Sequence, residues 1–265
     1  MTDRDGPPRS HAASSGPWGA PSPEAAGEPP EANHASARKP WRLGSFAILA
    51  VILFSYGVSA YRDLSRPEAW AYWRDLYFSP GLTSTIVSDA YTDSAGHLHP
   101  GLAVSGKIGA AAASWFRDRI EEAHLSPGDA VFLSSPGGYI DQALIIGEVI
   151  RSKGLVTAVG VPDSSGHIKP SYCASACVFA YAGGTVRIGI PGSKLGVHRF
   201  TTTSTGGDPV ADTQRTTGIV LGYMTKMGVS SAVVEAMSAT NDIHWLSAKE
   251  TTETGLVTDP LGSGG

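Results

Sequence analysis

Residues 43–61, "LGSFAILAVILFSYGVSAY", carry no charged side chain, and no other stretch restricts the fold as strongly. Coiled as a helix, these about 19 residues would extend roughly 28 Å, close to the hydrocarbon thickness of a bilayer. A buried helix of a soluble core usually keeps a polar stripe and is not flanked by charges at both ends. Here Arg38, Lys39 and Arg42 stand before the stretch, and Arg62, Asp63, Arg66 and Glu68 after it. The stretch therefore predicts a transmembrane helix over 42–61. A cleaved signal peptide would begin near residue 1, whereas about 40 polar residues come first, which predicts an uncleaved anchor. The slight basic excess on the N-terminal side predicts a single pass through the inner (plasma) membrane. The N-terminus would be cytoplasmic and the remainder exported, periplasmic or extracellular.

The span divides the rest of the chain. Residues 1–41 are rich in Pro, Gly, Ala, Ser and Glu and poor in aliphatics, a composition that predicts a disordered arm. Residues 62–82 are dense in aromatics and charges and suit a juxtamembrane linker at headgroup level. Residues 83–260 alternate strand-like and helix-like runs, and 261–265 read as a flexible tail. In the alternating region, 83–91, 101–106, 130–134 and 155–161 read as strands, while 110–124 and 139–154 read as helices, the first with Ala112, Phe116, Ile120 and Ala123 on one face. Strands and helices of these lengths imply an α/β domain of crossover units, and about 180 residues are enough for one core. The net charge of -4 gives no basic footprint, so nucleic acid is not an expected partner.

Four short segments of this domain could carry chemistry. "SYCASACVFAYAGG" (171–184) holds both cysteines of the chain, with Ser175 between Cys173 and Cys177. It reads as a helix starting near Cys173 and closed by Gly183 or Gly184 as a C-cap, with Ser175 in the first turn. The cysteines would lie about 6 Å apart at i, i+4, which leaves a disulfide and a pair of buried thiols both open. "SSPGG" at the end of a strand frees backbone N–H groups for a ligand. "TVRIGIPGSKLGVHRF" (185–200) brings His198 to a strand end. "TNDIHWLSAKETTETGLVTD" (240–259) offers Asp242 ahead of a short helix whose Ser247 and Glu250 form a capping box. His97 and His99 form a His-x-His pair with no supporting ligand cluster, so they are read as solvated and no metal is expected.

In this order the four segments resemble the proteolytic subunit of the Clp protease and the wider Clp/crotonase superfamily, over roughly residues 102 to 259. The resemblance implies an α/β spiral of β-β-α units and a serine peptidase that needs no cofactor. It puts the nucleophile at Ser175, the base at His198 and the oxyanion N–H donors at Gly138 and Ala176. The family's acid precedes an aromatic residue and "LSA". Here "DIHWLSA" has one residue too many, so strict register falls on Ile243, which cannot orient a histidine. Asp242 is the expected acid, with Asn241 in reserve. The implied substrate is an exported or membrane-proximal polypeptide. The segment "FTTTSTGGDPVADTQ" departs from the element that joins the family's rings, which leaves a homo-oligomer open.

Three competing readings remain at this level. One is a catalytically silent scaffold of the same fold that binds peptides. Another is a serine–lysine dyad drawing on Lys107, Lys153, Lys169 or Lys194. The third is acyl-thioester chemistry, for which no nucleotide-pocket signature is present.

Overall fold

The computed structural model describes residues 41–93, 95–200 and 208–260. Nearly all of the expected arm and the whole of the expected tail therefore lie outside the described residues. The chain parts into two units within its first helix, Met1–Leu53 and Phe54–Gly265, and every later element belongs to the second. Helix α1 (Trp41–Leu64) contains the candidate span Gly44–Leu64, long and apolar enough to cross a membrane. Helix α2 (Pro67–Trp73) starts with proline at its first position, where the missing N–H costs nothing, and runs into a single π-helical turn, Arg74–Phe78.

The domain is α/β, as expected. A six-stranded mixed sheet runs β1 (Leu82–Thr92), β2 (Leu98–Gly106), β3 (Ala130–Ser134), β4 (Val156–Val159), β8 (Arg187–Gly189) and β11 (Asp259–Pro260). β1 and β2 are antiparallel and the other pairings are parallel. Helices α3 (Ala112–Ala123) and α4 (Ile140–Ser152) are the crossovers that parallel pairing requires. Side chains divide by the period of two. Leu102, Val104, Val131 and Leu133 join the large core with Phe116, Ile120, Ile146 and Ile150, whereas Ala103, Ala130 and Phe132 join Val87, Ala158 and Ile188 on the other face.

A second sheet of three strands, ordered β10-β9-β7, comprises β7 (Tyr172–Ala174), β9 (Lys194–Val197) and β10 (His244–Trp245). From β4 on, each turn of the chain gives one strand to the large sheet, one to the small sheet and a helix: β4, β7 and α5 (Cys177–Ala182), then β8, β9 and α6 (Pro209–Lys226). Residues 161–169 form a small hairpin of β5 (Val161–Pro162) and β6 (Ile168–Lys169). Helix α6 begins within the segment 200–214 that departs from the family's ring-joining element. Asp208 caps it by accepting from the Val210 and Ala211 N–H groups, and Tyr223 fastens it to α5 by donating to the Phe179 carbonyl (2.8 Å). Helix α7 (Ala232–Ala239) precedes α8 (Ala248–Glu253), which carries the expected Ser247–Glu250 capping box.

Two sequence readings are corrected. His99 is half-buried and paired rather than fully solvated. Its ring is clamped between Asp129 (Nδ1 to Oδ1, 3.2 Å) and Asp93 (Nε2 to Oδ2, 3.3 Å) and stacks on Tyr91, and the two carboxylates raise its pKa. Gly183 is not a left-handed cap. α5 ends in a right-handed residue there, and the glycine instead allows close approach to the Gly147 backbone of α4.

Arg187 is the buried cation among the described residues, 3% exposed. Its guanidinium donates to the carbonyls of Leu256 (2.9 Å), Gly184 (3.0 Å), Met227 (3.2 Å) and Gly255 (2.7 Å). Three of these lie at or just beyond the ends of α5, α6 and α8, where carbonyls lack helical partners and carry partial negative charge. Burial lowers its pKa. Replacing Arg187 with Met should destabilise the domain by about 2–4 kcal/mol, because buried carbonyls lose a charged donor. Arg187→Lys, with three donors, should recover part of that loss in chemical denaturation of the detergent-solubilised protein.

Candidate active site

The site forms where the two sheets meet. At Ser134 strand β3 is still paired in the large sheet, opposite Ser105, but one residue later the chain turns to the small sheet. The Ser135 N–H donates to the Tyr172 carbonyl (3.0 Å), and the Ala174 N–H donates to the Ser135 carbonyl (3.0 Å). Ser135 is buried, and its hydroxyl accepts from the Gly137 N–H (3.0 Å), closing a local turn. The sequence "SSPGG" announces such a turn, though not its partner strand.

Ser175 departs from the sequence reading in an informative way. It does not sit in the first turn of a helix. Strand β7 ends at Ala174, helix α5 begins at Cys177, and Ser175 stands between them with φ 57°. Left-handed backbone is unusual for a side chain other than Gly, Asn or Asp, and costs about 1–2 kcal/mol. The turn is over-determined from both sides. The Ser175 N–H donates to the Gly196 carbonyl of β9 (2.8 Å), and the Ser175 carbonyl accepts from Val178 N–H (3.1 Å). A β-carbon at Gly137 would lie 2.7 Å from the Ala174 carbonyl oxygen, 2.8 Å from Ser175 Cβ and 2.9 Å from the Ala176 nitrogen. The glycine strand end therefore packs directly onto the serine turn.

Gly138 (φ 148°) continues this strand end and is held from the opposite side by Ile108, whose carbonyl would collide with any β-carbon there. Ile108 N–H donates to the Gly137 carbonyl (2.9 Å), and Tyr139 N–H donates to the Ile108 carbonyl (3.0 Å). Neither bond uses the Gly138 N–H. Among the described residues, neither Gly138 nor Ala176 donates its N–H to another group of the chain. Two backbone donors beside one serine are thus left for a ligand.

Parallel pairing of β7 with β9 sets Ala174 beside Gly196, so Ser175 and His198 both leave the same ends of adjacent strands. His198 Nδ1 donates to the Arg199 carbonyl (2.7 Å), which leaves Nε2 as the acceptor nitrogen. That nitrogen makes no hydrogen bond among the described residues, and no hydrogen bond joins it to Ser175. Three other described histidines have partners elsewhere. His244 Nε2 pairs with Glu250 (3.0 Å), whose pKa is lowered to about 2 by the Ser247 backbone and hydroxyl and by His244, and His97 and His99 both contact Asp93. Three of the four lysines offered as alternative bases have other partners. Lys153 pairs with Glu121, Lys169 with Asp163, and Lys194 lies over the Trp245 ring.

The acid is placed less closely. β10 pairs antiparallel with β9, His244 opposite Val197, and Arg199 N–H donates to the Thr240 carbonyl (2.9 Å), so 241–243 run alongside His198. Asp242 and Asn241 are exposed, and neither hydrogen-bonds to His198. The group at Nδ1 is the Arg199 carbonyl, a partner that no side-chain motif could reveal.

Cys173 and Cys177 are joined, with Cα atoms 5.3 Å apart, and both are fully buried. Of the two readings open from sequence, the bridge is the one adopted. A strand–turn–helix path brings the Cα atoms closer than the about 6 Å expected of i, i+4 in a regular helix.

No family model matches the chain, and no curated protein matches it. Solved structures similar to it include ClpP1 from Listeria monocytogenes, at 16% identity over 61% of this chain and 90% of that one (TM-score 0.47), and a mutant of that ClpP1 at 14% identity over the same shares (TM-score 0.48). Another is the 1510-N membrane-bound stomatin-specific protease, as a mutant, at 17% identity over 60% of this chain and 76% of that one (TM-score 0.43). The likeness concerns the fold alone.

Two outcomes test the serine turn. Ser175→Gly, which relieves the left-handed backbone, should raise stability by about 1 kcal/mol relative to Ser175→Ala, seen as a higher thermal midpoint. Opening the Cys173–Cys177 bridge by Cys→Ser replacement of both should lower stability by about 2 kcal/mol, as expected for a five-residue loop. In the native protein, thiol alkylation should require both unfolding and reductant.

Proposed function

We propose that this chain is a membrane-anchored serine peptidase in which Ser175 is the nucleophile and His198 the general base. The observation that carries the reading is the left-handed Ser175 turn, pressed between the glycine strand end and β9 and flanked by two unused backbone N–H groups. A serine on a sharp strand-to-helix turn presents its hydroxyl clear of the sheet, as acyl-transfer nucleophiles require.

The chemistry follows from these positions. Ser175 Oγ attacks a peptide carbonyl carbon while His198 Nε2 takes its proton. The oxyanion that forms is bound by the Gly138 and Ala176 N–H groups, a contribution of about 2.7–4 kcal/mol per donor in enzymes of this kind. His198 then returns the proton to the leaving amine, and water repeats the sequence on the acyl-enzyme. The Arg199 carbonyl holds the imidazole tautomer. We assign Asp242 the role of third member through charge, stabilising imidazolium from the segment that borders His198. The chain would be anchored by the helix over 42–61, with its N-terminus cytoplasmic and the catalytic domain exported. Its substrates would be exported or membrane-proximal polypeptides.

Reaction of the full-length protein with a fluorophosphonate should label Ser175 and be abolished in Ser175→Ala. His198→Ala should slow it by about 10³-fold or more. Because a carbonyl already orients the ring, Asp242→Asn should cost far less than the roughly 10⁴-fold seen where a buried aspartate is the sole orienter. A wild-type protein that is never labelled would instead favour the silent peptide-binding scaffold, which the missing Ser175–His198 hydrogen bond also fits.

A further inference from the structure

The segment between the candidate span and β1 has two faces. Trp70, Trp73, Tyr77 and Phe78 are exposed, whereas Tyr72, Asp75 and Leu76 are half-buried, at the spacing of one side of a helix. The inward face is hydrogen-bonded to the domain at two places. Tyr72 and Ser114 of α3 join through their hydroxyls (3.0 Å). Asp75 does more. Its Oδ1 accepts from the Gly81 N–H (3.0 Å) and its Oδ2 from the Ala111 N–H (2.8 Å). Ala111 is the N-cap of α3 and has no side-chain oxygen, so a carboxylate 36 residues away satisfies a donor at that helix start.

The stretch tied down in this way ends on the oxyanion strand. Lys107 N–H donates to the Gly81 carbonyl (2.9 Å), Ile108 bridges to Gly138 through its two backbone bonds, and a β-carbon at Gly109 would collide with the Asp75 carboxylate. Residues 107–111 are therefore caught between Asp75 and Gly81 on one side and residues 137–139 on the other. A shift of this stretch moves Ile108, and Gly138 cannot keep its place without Ile108.

We propose that Asp75 is a positioning residue for the oxyanion site. By holding residues 107–111 it fixes Ile108 and, through it, the Gly138 N–H, so the membrane-proximal segment sets the geometry of the donor. The inference rests on the reading of Gly138 as an oxyanion donor. Its location is independent of the nucleophile, and of the acid and base.

The test uses full-length protein in detergent, with Asp75→Asn, Asp75→Ala and, as a control, Tyr72→Phe, which cuts the same segment's other hydrogen bond to the domain. Two quantities are measured: amide hydrogen exchange resolved to single residues, and fluorophosphonate inactivation across a concentration series. In both Asp75 variants the Ile108 and Tyr139 amides should exchange about tenfold faster or more, with Val131 and Phe132 of β3 unchanged. The limiting inactivation rate should fall about tenfold, a fraction of the loss on removing a donor outright, while the half-saturating concentration holds. Tyr72→Phe should match wild type in both. Unchanged exchange at Ile108 and Tyr139 overturns the proposal, and so does an equal loss of rate in Tyr72→Phe. If the wild type is never labelled but the exchange response appears, the positioning role of Asp75 stands and the serine-nucleophile reading falls.

Discussion

Backbone lies on backbone where residues 135–138 meet the Ser175 turn, and the rest of the site depends on that contact. Without a β-carbon at Gly137, the strand end can reach the Ala174 carbonyl and the Ala176 nitrogen. The same approach keeps Ser175 in a conformation it would not choose alone. Pairing with β9 and the Cys173–Cys177 bridge act on the same few residues. The strain is local, while the interactions that hold it come from three separate strands and a crosslink.

Farther from the site, charge and backbone meet in a second way. Arg187 satisfies carbonyls at the ends of three helices, and Asp75 satisfies an N–H at the start of a fourth. Each ionised group here faces peptide groups rather than a partner of opposite charge. A buried charge is costly unless it is hydrogen-bonded, and helix termini are where unpaired peptide groups are concentrated. The two residues thus lock helix ends to the sheet and to the segment that follows α1.

Much of the domain was legible in local pattern. The short apolar runs of β2 and β3, the apolar face of α3 and the capping box at Ser247 and Glu250 are all encoded within a few residues, and each formed close to where it was expected. Ser175 was misread as helical because "CASACVFAYA" is rich in residues that suit a helix, whereas its first part is claimed by pairing with β9. His99 looked solvated because its partner Asp129 is 30 residues away. Asp242 was chosen for its carboxylate although strict register falls on Ile243, and the structure leaves it exposed, with no bond to His198, whose Nδ1 is taken by the Arg199 carbonyl.

From sequence alone came the α/β class, the apolar helix, and the four segments that hold Ser175, the glycine strand end, His198 and Asp242. All of these rest on periodicity, composition and short motifs, which are properties of neighbouring residues. Tertiary structure alone decided the left-handed turn at Ser175, the bridge across it, the carbonyl cage of Arg187 and the hold of Asp75 on Ala111. Each of those requires strands in a particular register or groups from distant parts of the chain brought within hydrogen-bonding distance. No local period encodes a partner 36 or 69 residues away.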